Sequence, residues 1–231
     1  MECDDRSVGS GKGPKKRLLG GLALGLTLVG ASAGSAWIDD NQVLRIEEDW
    51  ELRLNDPGPE LDAPQFHTIM SPTGNLNSYY FQVCWNYRDN PDFMSGGLQL
   101  HAWNGDSEVG SRADRDDQLS TTAETVNWTQ QLKISGSSMT FMILNGRSTT
   151  WGSFGGSDSK LTGPSNVSSL NSYSPDISAR QSWISFGANR VNQLRIKQIR
   201  YYNQDGDLVA LDDNSRVIYQ GGGGSSTRGG D

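Results

Sequence analysis

Apolar and polar residues alternate with a period of two along most of the chain beyond residue 40. Residues 45–54 read Arg-Ile-Glu-Glu-Asp-Trp-Glu-Leu-Arg-Leu and alternate almost throughout. Residues 79–87 put Tyr79, Phe81, Val83, Trp85 and Tyr87 on one face, and Leu98, Leu100 and Ala102 repeat the pattern in the next segment. A period of two marks a strand with one buried face. Further strands are expected at 124–134, 139–144, 181–186, 194–202 and 208–211. Asn104-Gly105, Asn145-Gly146 and Asp205-Gly206 each stand between strand-like runs. Asn-Gly and Asp-Gly supply the positive φ angles of tight hairpin turns, so all three are expected to be antiparallel hairpins.

No helical period appears beyond residue 40. About ten short strands with no helix between them predict an all-β sandwich or barrel. Trp50, Trp85, Trp128 and Trp183 fall within strand patterns and are expected in the core, and Trp151 beside a long loop. Residues 155–178, rich in Gly, Ser and Asn, form the longest irregular stretch. Loops of that length in a compact domain are usually functional or mobile.

The first residues change the picture from fold to compartment. Lys15-Lys16-Arg17 is followed by an uncharged apolar run, 18–29, and then by Ala31-Ser32-Ala33. This is the order of a secretory signal peptide. The apolar run is shorter than the roughly 20 residues a spanning helix needs. The expected organisation is a signal peptide over 1–33, a β-sandwich domain over 37–219, and a Gly/Ser-rich flexible tail over 220–231. An uncleaved signal anchor is the alternative. Cleavage makes the protein secreted, extracellular or attached to a cell surface, with no stable membrane insertion.

The leader holds five of the 20 Lys and Arg residues and three of the 27 Asp and Glu residues. The remainder carries a net charge near −9. Phosphate binding needs clustered Lys and Arg, so nucleic acid is not an expected partner. Cys3 leaves with the leader and Cys84 stands alone, so the mature chain has no disulfide of its own. Cys84 is expected to be a buried, inert thiol.

Two stretches share a rhythm of strand and turn. One is Trp128, Leu132-Lys133-Ile134, 139–144 and Asn145-Gly146. The other is Ser185-Phe186-Gly187-Ala188-Asn189-Arg190 leading into Leu194-Arg195-Ile196 and Tyr201-Tyr202. Both resemble the concanavalin A-like lectin and glucanase superfamily, a resemblance of strand rhythm that spans about residues 40–219. It implies a jelly-roll sandwich of two antiparallel sheets whose concave face is the usual sugar site. The superfamily also contains purely structural members, so fold alone does not decide function.

Within that resemblance, Glu47-Glu48-Asp49-Trp50-Glu51 is similar to the catalytic strand of laminarinase-like glycoside hydrolases. The resemblance implies Glu47 as nucleophile, Glu51 as acid/base and Asp49 as the residue between them. Period two puts all three on one face. A retaining pair needs carboxyls about 5–5.5 Å apart, whereas positions four apart on a flat strand lie about 13 Å apart at Cα. The inward position between them, normally apolar in that family, is Glu48. The alternative is an outward charged face, Arg45-Glu47-Asp49-Glu51-Arg53, with basic residues at both ends.

A second candidate is the polar face opposite the predicted core. It places Tyr80, Gln82, Asn86 and Arg88 beside Gln99, His101 and Trp103. Sugar sites combine an aromatic platform with amides and charged groups for the hydroxyls. Calcium is a further candidate at Asp205, Asp207 and Asp212, because clustered oxygens are its ligands. Asn127-Trp128-Thr129 and Asn166-Val167-Ser168 are glycosylation sequons. No zinc spacing, nucleophile elbow, phosphate loop or dinucleotide fingerprint is present. The expected function is a secreted, lectin-like module that binds an extracellular polysaccharide or glycan without catalysis. A retaining hydrolase using Glu47 and Glu51, or a structural or adhesive surface domain, are the alternatives.

Overall fold

Strand β1 (Arg45–Leu54) turns its alternation directly into structure. Ile46, Trp50 and Leu52 are fully buried on one side, and Glu47, Asp49 and Arg53 stand on the other. The computed structural model describes residues 42–87, 95–119 and 122–221. The leader expected at 1–33 lies outside them, as does the tail beyond Gly221.

Twelve further strands follow: β2 (Gln65–Met70), β3 (Tyr79–Tyr87), β4 (Ser95–Asn104), β5 (Ser107–Arg115), β6 (Thr125–Ser135), β7 (Ser138–Ser148), β8 (Gly152–Phe154), β9 (Lys160–Pro164), β10 (Trp183–Phe186), β11 (Val191–Tyr202), β12 (Leu208–Asp212) and β13 (Arg216–Gln220). One helix, α1 (Pro175–Gln181), precedes β10. The larger sheet, sheet A, runs β12-β11-β1-β6-β7-β8, with β13 also on β11 and β9 also on β7. The smaller, sheet B, runs β10-β2-β3-β4-β5. All pairings are antiparallel, and the two sheets pack face to face. The expectation of an all-β, two-sheet antiparallel sandwich holds.

Aromatic rings join the sheets. Trp50 and Trp128 are register partners on neighbouring strands of sheet A, their rings 10° apart and 5.8 Å between centroids. From sheet B, Trp85 meets Trp128 at 4.2 Å, and Phe66 lies almost parallel to Trp85 at 5.3 Å. Rings at such separations add about 0.5–1.5 kcal/mol per pair beyond area burial. A polar seam crosses the same interface: Thr68 Oγ accepts from Trp85 Nε1 at 2.8 Å and from Gln130 Nε2 at 2.5 Å.

Several expectations are corrected. Asn145-Gly146 does not end a strand, because β7 runs through it as a bulge. Two residues there oppose one on β6, between Thr129↔Leu144 and Asn127↔Arg147. Asn145 takes φ 53°, and a Cβ on Gly146 would sit 2.4 Å from the Phe154 ring. The hairpin that joins β6 to β7 is Gly136-Ser137 instead, with Gly136 at φ 60°. Asn104-Gly105 is a hairpin, though only Gly105 of its two loop residues, Gly105 and Asp106, has positive φ. Such a turn has the II′ rather than the I′ pattern. Asp205-Gly206 lies in the β11–β12 connection as expected, where Gly206 N donates to Asn203 O.

Tyr87 was expected on the core face with Trp85. Between the pairs Trp85↔Leu98 and Tyr87↔Ser95, Gly96 and Gly97 of β4 bulge against Asn86 alone, and Asn86 at φ 63° turns Tyr87 to the other face. Trp183, also expected in the core, stacks on His67 on that same outer face. Trp151 belongs to the core cluster. The irregular stretch 155–178 contains β9 and the start of α1. β2 and β5 escape the period-two reading for opposite reasons: every residue of β2 is buried, and β5 is polar and largely exposed.

Glu124 has a structural task near the start of β6. Buried, it accepts from Ser148 Oγ, Thr149 N and Thr150 Oγ, each at 2.5 Å, and so closes the β7–β8 turn. Glu124→Ala is expected to lower unfolding stability by about 2–3 kcal/mol, the order for stranding several buried donors. Denaturant unfolding measures this, and a loss below about 0.5 kcal/mol would contradict the assignment.

Candidate functional site

The outer face of sheet B is set by alternation. Phe66, Thr68 and Met70 of β2 and Phe81, Val83 and Trp85 of β3 face sheet A. His67, Gln82, Cys84, Gln99, His101 and Trp103 therefore stand on the far side. Both histidines of the chain are on this face, in adjacent rows.

One row is a hydrogen-bond relay. Gln82 Nε2 donates to His67 Nδ1 at 2.9 Å, which leaves His67 Nε2 as the donor to Tyr87 Oη at 2.7 Å. Tyr87 Oη then reaches Ser185 Oγ at 2.5 Å, and Ser185 donates to Gln65 O at 2.9 Å. Trp183 covers His67, with ring centroids 4.3 Å apart. Cys84 is buried as expected and lies 3.4 Å from His67 Nδ1. The relay runs in one direction and ends on a backbone carbonyl, so it fixes a neutral His67 tautomer and ties β10 to β2 and β3.

The other row is aromatic. Tyr80 and Trp103 are register partners, and their rings lie 11° apart with centroids at 6.3 Å. His101 sits beside Trp103 at 6.3 Å. Its Nδ1 is 3.3 Å from Glu108 Oε1, a β5 residue absent from the sequence-based set. Burial lowers the His101 pKa, only partly opposed by Glu108, so the ring is neutral at neutral pH. His101 Nε2 and Trp103 Nε1 are shielded from solvent and have no hydrogen-bond partner among the described residues.

The seven expected contact residues thus divide. Tyr80, His101 and Trp103 come together. Gln82 serves His67, and Gln99 donates to Tyr87 O at 3.3 Å. Asn86 is a fastener: its amide donates to Pro64 O at 2.7 Å and Leu119 O at 3.2 Å, and accepts from Leu119 N at 2.7 Å. Arg88 lies outside the described residues.

The outer face of sheet A carries Glu47, Asp49 and Glu51 together, as alternation predicts. Arg200 of β11 grips Asp49 through two bonds, 2.6 and 2.8 Å, and meets Glu47 at 3.1–3.2 Å. Thr129 and Gln198 complete Asp49 at 2.7 and 2.8 Å, while Gln131 and Tyr202 reach Glu47 at 2.9 and 3.1 Å. Glu51 is held by Arg195 at 2.9 Å and Arg53 at 2.8 Å. Burial works against the Arg200 charge, but Asp49 and then Glu47 outweigh it and hold the guanidinium above its ordinary value. The Arg45 guanidinium lies over the Tyr202 ring, 3.8 Å from its centroid. The face is a ladder of ion pairs across β11 and β1, extended to β6 by hydrogen bonds from Thr129 and Gln131.

On the opposite side of β1, Glu48 points into the core and is fully buried. It accepts from Trp50 Nε1 at 2.9 Å and from Tyr173 Oη, and Ser178 also faces it. Burial pushes its pKa up to about 7 against the pull of these hydrogen bonds and of Arg216.

Asp205 and Asp207 share the β11–β12 turn, whereas Asp212 is engaged at the far end of β12 by Arg216 at 2.7 Å and by Asn214. Among the described residues, no three His, Cys, Asp or Glu side chains form a group that could hold a metal ion. No described helix is long and apolar enough to cross a membrane.

Asn86 offers a test of fastening against contact. Asn86→Ala is expected to cost about 3 kcal/mol, from three buried hydrogen bonds and a left-handed backbone. Asn86→Gly should recover roughly 1 kcal/mol of that by relieving the backbone alone. Equal losses in chemical denaturation would show that the bulge conformation carries no strain. The chain matches no protein-family model, no curated protein and no solved structure.

Proposed function

We propose that the chain is an exported, non-catalytic carbohydrate-binding module of concanavalin A-like, jelly-roll type. It holds an extracellular polysaccharide or glycan on the outer face of sheet B. The observation that carries this reading is the pair of nearly parallel, half-buried Tyr80 and Trp103 rings beside His101 and Glu108. Aromatic rings suit the C–H face of a pyranose, and a few polar groups beside them suit its hydroxyls. The contact set is smaller than the sequence alone suggests, because the amides of Gln82, Asn86 and Gln99 are engaged within the protein.

A retaining hydrolase is the second reading, favoured by the placement of Glu47, Asp49 and Glu51 on one face of β1. Against it stand the arginines that engage each of the three carboxylates. A general acid or a nucleophile must be free to exchange its partner for substrate.

The purified protein, passed over a panel of insoluble and immobilised polysaccharides with calcium or with chelator, tests both. Retention on one polymer, with no release of reducing ends, is expected. Trp103→Ala should weaken it by about 30-fold, the scale of a central aromatic contact. Undiminished retention of Trp103→Ala would move the site elsewhere, and no retention on any polymer would overturn the reading. Reducing ends released by the native protein but not by Glu47→Gln or Glu51→Gln would establish the hydrolase. Loss of retention with chelator would bring calcium into the site.

A further inference from the structure

Residues 165–182 belong to neither sheet. The segment has no strand pairing, and its one regular element is the seven-residue α1. It nevertheless spans both sheets. Leu170 N donates to Val43 O at 2.8 Å, and Asn171 Oδ1 accepts from Val43 N at 2.9 Å, next to β1. Ser182 Oγ accepts from Ile69 N of β2 at 3.0 Å. Leu170, Tyr173, Ile177 and Ser178 are buried against the sandwich. Beneath the segment lies Glu48, which takes the Tyr173 hydroxyl from the irregular part and faces Ser178 on α1.

We infer that residues 165–182 form a strap across the two sheets whose hold is governed by the protonation of Glu48: fastened while the carboxyl is neutral, loosened when it is ionised. A neutral acid can accept from Trp50 and Tyr173 and brings no charge into the interior. An ionised one places a charge where the side chain is fully buried, at a cost relieved only if water reaches it. Of the walls around Glu48, β1 is paired with β11 and β6 along its length. The strap is held by scattered bonds and is the wall that yields.

The other groups around Glu48 do not titrate with it. Burial raises Tyr173 well above the ordinary tyrosine range and Tyr201 of β11 to about 12, so both stay neutral. Arg216 of β13 stays charged, bound to Asp212 of β12 at 2.7 Å and to Asp176 of α1 at 3.6 Å. β2 presents Phe66, Thr68 and Met70 toward the interior, none of which titrates. The sign follows from the raised value. Below pH 4.5 the carboxyl is protonated whether the strap is closed or open. Between 4.5 and about 7 only the closed form keeps its proton, so closure weakens as pH rises, and above about 7 the loss is complete.

Hydrogen exchange of the intact protein, expressed as protection factors, reads this directly. Protection of the 165–182 amides is expected to fall by roughly 100-fold between pH 5 and pH 8, while β1 and β6 keep theirs. Glu48→Gln should abolish that dependence. Tyr173→Phe removes a donor that favours the ionised carboxyl, so it should move the midpoint of the fall to higher pH. Strap protection that does not change with pH in the native protein overturns the proposal. So does an equal fall in Glu48→Gln, or, if that variant does not fold, a midpoint unmoved in Tyr173→Phe.

Discussion

The sandwich depends on the contact of Trp85 with Trp128, indole against indole, at the centre of the interface between the sheets. Trp128 also lies against Trp50, and Trp85 against Phe66, so four large rings from both sheets share one packing unit. Rigid rings admit few alternative arrangements, and interiors of this density transmit any displacement. The register of β1 against β6 and of β2 against β3 is thereby tied to a single geometry. Everything on the outer faces inherits its position from that unit.

The two outer faces use polar side chains in opposite ways. On sheet A each acid is matched by guanidinium groups from its own or the neighbouring strand, and the ladder is closed electrostatically. Arg200 bonds Asp49 with both ends of its fork, the geometry in which arginine differs most from lysine. On sheet B the relay through His67 is also satisfied, but the row beside it leaves Trp103 Nε1 and His101 Nε2 without partners among the described residues. Buried polar groups in folded proteins are rarely left so. Tyr80 and Trp103 are only half-buried on that face, and the proposed glycan site is placed there for that reason.

Much of the fold was legible in the sequence because half-buried strands announce themselves by alternation. The bounds of β1 and β3 follow from that pattern alone. What the pattern missed has physical causes. β2 is buried on both faces, so Gln65 and His67 carry no sign of a polar side. Asn86 and Asn145 are the two described non-glycine residues with positive φ, and each lies where the pairing of its strand slips. The first sends Tyr87 to the outer face, and the second makes a bulge of an apparent hairpin turn. At the candidate site, Tyr80, His101 and Trp103 were visible as neighbours. Glu108 was not, because the exposed strand that carries it has no apolar rhythm. Glu48 was noticed only as a misfit in a resemblance. Its partner Tyr173 lies 125 residues away, beyond the reach of any local pattern.

The position of β1 has a consequence for the order of assembly. It is the first described strand, yet it lies inside sheet A, with β6 on one side and β11 on the other. Arg45 pairs with Lys133 and also with Tyr202. The larger sheet therefore cannot close until nearly the whole domain has been synthesised. Until then β1 presents an unpaired edge to whatever is nearby. Topologies dominated by such distant pairings fold in milliseconds to seconds rather than microseconds. A nascent chain of this kind stays open long enough to be handled, threaded or captured as an extended polymer before its native shape exists.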